Sequence, residues 1–334
     1  MLNPKLKLNP KLFMDDVEQV PIRKGFGTGL KLAGEKNPNV VALCADLTES
    51  TQMHLFKEKF PERFVEIGVA EQNLVTVASG MAAMGKIPFA SSYAMFSPGR
   101  NWEQIRTTIA YNDRKVTIVG SHAGISVGPD GGTHQAIEDI ALMRVLPNMD
   151  VVSPCDSIEA EKATLAIAEN KSPTYLRLAR EKTPIITTKD TPFEIGKAQI
   201  FWEPDHGLAH VGVIATGALI HKALMAAREL EKKGIKTKVM NLATIKPLDA
   251  EAVIALAKET HAIVTVEEHQ IAGGMGSAIA ELLAREFPVP IEFIGVQDKF
   301  GQSGTPEQLI ELYGMGQRAV EQAIVKALNR KASK

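Results

Sequence analysis

Two histidines twelve residues apart, His122 and His134, stand in the glycine-rich run SHAGISVGPDGGTHQ (121–135), with Asp130 between them. Imidazole and carboxylate together suit hydrogen bonding to, and proton transfer from, a polyhydroxylated substrate. Glycines at 124, 128, 131 and 132 let the backbone approach a ligand closely. The spacing is not that of a zinc site: zincins carry histidines at i and i+4 on a helix, and no third ligand follows here at a suitable distance. Other reactive side chains are scattered along the chain: Asp46 with Thr48 and Ser50 just after it, Glu71, Tyr93 and Phe96, and Arg180. Taken singly, each has an ordinary structural reading. Glu71 at a helix start favours the helix dipole, Asp46 suits a helix cap, and Tyr93 and Phe96 suit a core. Arg180 suits a surface ion pair, and His122 a satisfied histidine.

Their placement on the elements separates them from those readings. Short unbroken apolar runs alternate with helical stretches, which predicts parallel sheets covered on both faces. The first series is VVALCAD ending at Asp46, FVEIG (64–68), IPFASSY (87–93), VTIVGSH (116–122), DVVSP (150–154) and TYLRLAR ending at Arg180. Helices are predicted between them over 22–35, 71–83, 102–111, from 137, and over 158–169. In open α/β sheets ligands bind beyond the carboxyl ends of the strands. Asp46, Glu71, the Tyr93/Phe96 pair, His122 and Arg180 all fall at such ends or just past them, while strand interiors carry almost no polar groups. That segregation outweighs the separate structural readings.

The looser segment EKTPIITTKDTPFEIG (181–196) reads as a connection. The alternation then restarts with VGVIATG (211–217), TKVMNLA (237–243), AIVTVEEH (262–269) and IEFIGV (291–296), with helices over 219–233, 250–260, 277–287 and from 317. The predicted architecture is α/β, two doubly wound domains: an N-terminal arm 1–20, a first domain 21–183, a linker 184–205 and a second domain 206–334. The pentapeptide LNPKL occurs at 2–6 and again at 8–12, and its prolines argue for an extended arm. AGGMGSA (272–278) lacks the dinucleotide-binding spacing and reads as a tight structural turn.

Composition excludes several classes. Lys plus Arg number 38 against 39 Asp plus Glu, with no basic stripe, so there is no electrostatic footprint for nucleic acid. No apolar run approaches the roughly 18 residues of a membrane span, and no secretory signal precedes the first helix, so a cytoplasmic location is expected. Cys44 and Cys155 lie in apolar strands without Cys or His at metal spacing and read as buried thiols. No Walker motif, G-x-S-x-G elbow or CxxC occurs, and no lysine stands at a strand end in the polar cluster to make a transaldolase Schiff base.

Three segments carry a likeness: RFVEIGVAEQN (63–73), GPDGGTHQAIEDIALMRVLPNM (128–149) and VEEHQIAGGMGSAIAE (266–281) resemble the C-terminal half of transketolases. The resemblance implies a pyrimidine-binding domain for thiamine diphosphate followed by the transketolase C-terminal domain. By that likeness Glu71 hydrogen-bonds and activates the aminopyrimidine ring, Tyr93 and Phe96 form the pyrimidine pocket, and Asp46 lies near the cofactor. His122, Asp130 and His134 fall to the substrate's hydroxyls and carbonyl, with His122 and His134 catalytic beside Glu71. Arg23, Ser50 and Arg180 match positions that hold a sugar phosphate. Ala70-Glu71-Gln72 departs from the usual transketolase pattern, which has His after the Glu, toward deoxyxylulose-phosphate synthase and 2-oxo acid dehydrogenase β subunits. FSPGRNWEQIR (96–106) is longer than the usual segment, which leaves Arg100 without an assigned role.

The family's G-D-G motif with a downstream Asn, which holds magnesium and the diphosphate, is missing from the sequence, so this chain supplies no metal ligand. The resemblance therefore implies an N-terminal transketolase subunit that carries magnesium, joined in an α2β2 assembly. The activity implied is transfer of a two-carbon ketol unit between sugar phosphates. The alternatives are a 2-oxo acid dehydrogenase β subunit, a deoxyxylulose-phosphate-synthase-like enzyme, and a non-catalytic partner on the same fold. Ser50, Asp130, His134 and Arg180 argue against the dehydrogenase, because keto acids carry no phosphate.

Overall fold

Strands that are apolar on both faces need cover on both, and here two sheets obtain it partly from each other. The computed structural model describes residues 1–332. Along the chain the strands are β1 (Gln19–Pro21), β2 (Val40–Cys44), β3 (Phe64–Glu66), β4 (Ile87–Tyr93), β5 (Thr117–Ser121), β6 (Asp150–Val152), β7 (Thr174–Arg177) and β8 (Lys182–Pro184). They continue with β9 (Gln199–Trp202), β10 (Val211–Ala215), β11 (Thr237–Asn241), β12 (Thr244–Lys246), β13 (Ile263–Gln270) and β14 (Ile291–Val296). The first helices are α1 (Ile22–Lys36), α2 (His54–Lys59), α3 (Glu71–Ala83), α4 (Trp102–Gln104), α5 (Asp139–Arg144) and α6 (Ser157–Glu169). The rest are α7 (Ile220–Lys232), α8 (Ala250–Thr260), α9 (Met275–Glu286), α10 (Pro306–Leu312) and α11 (Gln317–Ala332).

One sheet has the order β12-β6-β7-β5-β4-β2-β3 and is parallel except for β12 at its edge. The other, β14-β13-β10-β11-β9, is parallel except for β9. In the first sheet β3 and β4 flank β2 on opposite sides. Connections therefore leave the β2 region in opposite directions and open a crevice beyond the carboxyl ends of β2 and β4. Phe26, Phe56 and Ile167 form a core under α1, α2 and α6, and Leu224, Leu230 and Ile324 form another under α7 and α11. Between them a third cluster joins Leu43, Leu74 and Ile118 to Ile214, Leu256 and Ile279, so the two sheets share one hydrophobic layer. β12 strengthens the union, because it follows β11 in sequence but pairs with β6 of the first sheet. Among the described residues no helix is long and apolar enough to cross a membrane.

Three segments differ from their sequence reading. The stretch 184–205, read as a linker, contains β9, an edge strand of the second sheet. The helix expected over 102–111 is a single α turn that widens into a π-helix over Ile105–Ala110, a form that accommodates extra residues. Residues 1–20, read as an extended arm, include a 3₁₀ turn over Pro4–Leu6 and are bound down: Leu8 and Leu12 are buried in the second-sheet core and Leu2 bridges to Trp202. The repeated pentapeptide makes one clasp twice. Asn3 donates from its backbone to Phe201 O (3.0 Å) and from Nδ2 to Ile200 O (2.9 Å). Asn9 does the same to Ile186 O (2.9 Å) and Ile185 O (2.7 Å). Each Asn Oδ1 accepts from the amide two residues on, Lys5 at 3.1 Å and Lys11 at 3.0 Å, the Asx-turn geometry that suits Asn before Pro.

Candidate active site

The crevice beyond β2 and β4 gathers most of the strand-end residues into one continuous wall. Glu71 opens α3 and is only 4% exposed. Both its carboxylate oxygens lie 3.0 Å from Arg100 Nη1. The Arg100 guanidinium sits 4.2 Å from the centroid of Phe96. Phe96 stacks on Tyr93 (6.2 Å between centroids, 16° between planes) and meets His134 edge-on at 5.3 Å. Tyr93 in turn stacks on His122 at 3.9 Å. The turn that delivers Arg100 is anchored by Asn101, whose Nδ2 donates to Glu71 O (2.9 Å) and Ser97 Oγ (3.1 Å). A cleft of about 560 Å³ opens beside Glu71, bordered by Val69, Asn73 and Arg100.

His122 directly follows β5 in left-handed backbone (φ 59°), a conformation uncommon outside glycine. Its Nδ1 lies 2.8 Å from Ser121 Oγ, which orients the ring and leaves Nε2 for a ligand. Burial, and then the charges of Arg23 and Arg180, push its pKa down to about 3, so the ring is a neutral imidazole at physiological pH. His134, half-buried, has Nδ1 3.0 Å from Thr133 Oγ1.

Arg23 and Arg180 meet at the far end of the wall. Arg23 donates from Nε to Arg180 O (3.1 Å) and from Nη1 to Ser50 O (2.5 Å). Burial first, with the Arg180 charge adding to it, lowers the Arg23 pKa against the opposing pull of Tyr93 and Glu181. Arg180 Nη1 donates to Val127 O and pairs with Asp130 Oδ1 at 3.3 Å, and its Nε faces Glu181 at 3.5 Å. Ser50 thus meets Arg23 through its backbone carbonyl rather than its hydroxyl, and Asp130 is engaged by Arg180. Asp46 stands apart, exposed and in left-handed backbone (φ 58°).

Two residues of the site had no assigned role in the sequence. Arg100 covers Glu71. Glu66 accepts from the Asp46 amide (2.7 Å), the Gly68 amide (2.9 Å) and Thr48 Oγ1 (3.1 Å), tying the loop after β2 to the turn that enters α3. Glu66 ends β3, and a carboxylate at that point was the available signal. The glycine turn before α9 is closed by an internal carboxyl group: Glu267 accepts from the Met275 (2.6 Å) and Gly276 (2.8 Å) amides at the helix N-terminus, and burial raises its pKa to about 7. Cys44 and Cys155 are free and buried. Among the described residues no group of three or more His, Cys, Asp or Glu is placed to hold a metal ion.

Family models and relatives match nearly the whole chain. Residues 18–185 match the transketolase pyrimidine binding domain, and residues 202–320 match the transketolase C-terminal domain. The chain is 42% identical over 312 residues to a putative transketolase C-terminal section from Methanocaldococcus jannaschii, covering 92% of this chain and 96% of that one. It is 39% identical over 297 residues to a 6-deoxy-6-sulfo-D-fructose transketolase subunit from Clostridium sp. (strain MSTE9), covering 89% and 91%. A solved split-gene transketolase, described as an inactive beta4 tetramer, superposes with a TM-score of 0.87 at 44% identity over 93% of this chain and 99% of that one. With its pyrimidine-binding and C-terminal domains side by side, the chain belongs to the transketolase family.

Proposed function

We propose that the protein is the C-terminal subunit of a two-subunit, thiamine-diphosphate-dependent transketolase that moves a two-carbon ketol unit between sugar phosphates. The observation that carries this is the seat of the Arg100 guanidinium. A flat nitrogenous group lies over Phe96 and is hydrogen-bonded to the carboxylate of the buried Glu71. An aminopyrimidine is likewise flat, offers nitrogen to a carboxylate and stacks on an aromatic face, so these residues fit the ring of the cofactor once Arg100 turns away.

When bound, thiamine diphosphate supplies the electron sink that lets a carbon–carbon bond of the sugar break and re-form. The chain's own residues orient and move protons. Glu71 holds a proton between its carboxylate and a pyrimidine nitrogen, while Tyr93 and Phe96 fix the plane of the ring. His122, neutral and oriented by Ser121, offers Nε2 to a substrate oxygen, and His134 offers the same atom from the opposite side of the aromatic pair. Arg23 and Arg180 present a desolvated positive end to a phosphate, which would compensate their mutual repulsion with charge-assisted hydrogen bonds. Asp130 exchanges its pairing with Arg180 for a sugar hydroxyl.

Magnesium takes oxygen ligands and commonly reaches a protein through phosphates and one or two carboxylates. The sequence has no G-D-G segment for this task, and we assign the metal and the diphosphate to an N-terminal subunit in an α2β2 assembly. The inactive beta4 assembly of the related split-gene transketolase supports that division. Glu71→Gln keeps the shape of the side chain and removes its proton acceptor. Turnover of the reconstituted enzyme should fall by about 10²–10⁴, and near-normal turnover would sink the assignment.

A further inference from the structure

The loop bearing His122, Asp130 and His134 has little stiffness of its own. Gly124, Gly128 and Gly131 all have positive φ (86°, 81° and 76°), and ordering such residues costs more backbone entropy than ordering any others. Beside its own turns, which include the His134 amide donating to Gly131 O (3.0 Å), the loop is held by the second half of the chain. Glu268, buried on β13, accepts from the Ser126 amide at 2.7 Å. The Gln270 amide donates to Ile137 O at 2.8 Å. The segment 301–306 lies backbone to backbone on the loop: a Cβ on Gly132 would come within 2.8 Å of Gly301 O, and one on Gly131 within 2.7 Å of Ser303 Oγ.

One side chain joins the two surfaces. Gln135, next to His134 and 2% exposed, donates from Nε2 to Ile125 O (3.0 Å) within the loop and to Gln302 O (2.9 Å) across the domain boundary. Its Oε1 rests on Gly301, where a Cβ would lie 1.6 Å away, so the fit requires glycine opposite it. We infer, on the reading that His134 contacts substrate, that Gln135 is a positioning residue for His134, through which the C-terminal domain sets the geometry of the substrate loop. Nothing in its chemistry acts on the substrate. It acts by fixing where the neighbouring imidazole stands.

The test uses the chain reconstituted with a subunit carrying the G-D-G motif, a five-carbon ketose phosphate as donor and a five-carbon aldose phosphate as acceptor. Gln135→Met keeps the volume and removes both donated hydrogen bonds. Displacing a catalytic group by about an ångström costs on the order of 100-fold, so kcat/KM should fall roughly 10- to 100-fold, with calorimetric affinity for thiamine diphosphate unchanged. In a His134→Ala background the same change should cost nothing further. Additive losses, or cofactor affinity that falls in step with activity, would make Gln135 a general structural residue and overturn the inference, as would wild-type kinetics for Gln135→Met. A harmless His134→Ala would instead remove the substrate role on which the inference stands. Should Gln135→Met fail to fold, Gly301→Ala displaces the carboxamide from the opposite side and must give the same non-additive pattern with His134→Ala.

Discussion

Replacing Arg100 by Ala should tighten binding of thiamine diphosphate, because on the proposed function the cofactor ring takes the place this guanidinium holds on Glu71 and Phe96. The size follows from what must be displaced. The Arg100 side chain is 50% exposed and that of Glu71 only 4%. A hydrogen bond to a charged group contributes about 1.5–3 kcal/mol, which solvent screening of the half-exposed guanidinium reduces to about 1 kcal/mol. Stacking of the cation on Phe96 adds about 0.5–1 kcal/mol at an exposed site. Removing both should improve the apparent dissociation constant roughly 10- to 30-fold. The assay is calorimetric titration of the reconstituted enzyme with thiamine diphosphate at saturating magnesium, wild type against Arg100→Ala, at one salt concentration. Unchanged or weaker binding would refute the reasoning, since Arg100 would then be neutral or itself a cofactor contact.

The cationic end of the wall gives a second expectation: Arg180→Ala should lower kcat/KM about 10- to 100-fold for a phosphorylated ketose and much less for its unphosphorylated counterpart, measured side by side. His122 is neutral above about pH 3, so His122→Gln should lower the pH–rate profile without altering its shape. Glu159 is fully buried, and burial followed by the Asp156 charge raises its pKa to about 7 from 4.5. Its contribution to stability is therefore complete below about pH 4.5 and lost as pH rises through 7, up to about 3 kcal/mol. Glu159→Gln should reduce the fall in melting temperature between about pH 4.5 and pH 7, helped by Asn241, whose unpaired Oδ1 can turn to accept from the new amide. Glu267, also buried and raised to about 7, keeps the remaining slope, and a slope unchanged by the substitution would place the titration elsewhere.

What the sequence made legible follows from how each element is stabilised. β2, β5, β10 and β13 are central strands, buried on both faces, and their unbroken apolar runs carry that burial in one dimension. β8, β9 and β12 are short edge strands whose order comes from partners far away in sequence, such as β6 for β12, and three or four residues hold no period. α10 was readable but passed over: Thr305 and Gln308 form a capping box with Pro306 at the first turn. The prolines of the N-terminal repeat pointed to an extended arm, but its order comes from asparagine side chains reaching carbonyls in 185–201, which no local pattern encodes.

The site divides along the same line. Glu71, Tyr93, His122 and Arg180 stood out because reactive types at strand ends contrast with an apolar scaffold. Their mutual engagement did not, because the Arg100–Glu71 and Arg180–Asp130 pairs join positions remote in sequence. The carbonyl of Ser50 is a backbone group available at any residue type, so its bond to Arg23 has no signature in the side chain. Gln135 is a neutral amide with no reactive chemistry, and its hydrogen bonds to Ile125 and Gln302 and the packing of Gly301 against it reveal its position.

The division of the active site between two chains is open to a single assay: ketol transfer from a ketose phosphate to an aldose phosphate with thiamine diphosphate and magnesium. This chain is measured alone and after mixing with an equimolar subunit that carries the G-D-G motif. Two or four copies of this sequence still contain no such motif, so the chain alone should show no turnover at any concentration, and activity should appear on mixing and saturate near one partner per chain. Full turnover by this chain alone would contradict the assignment of the metal and diphosphate to a second subunit.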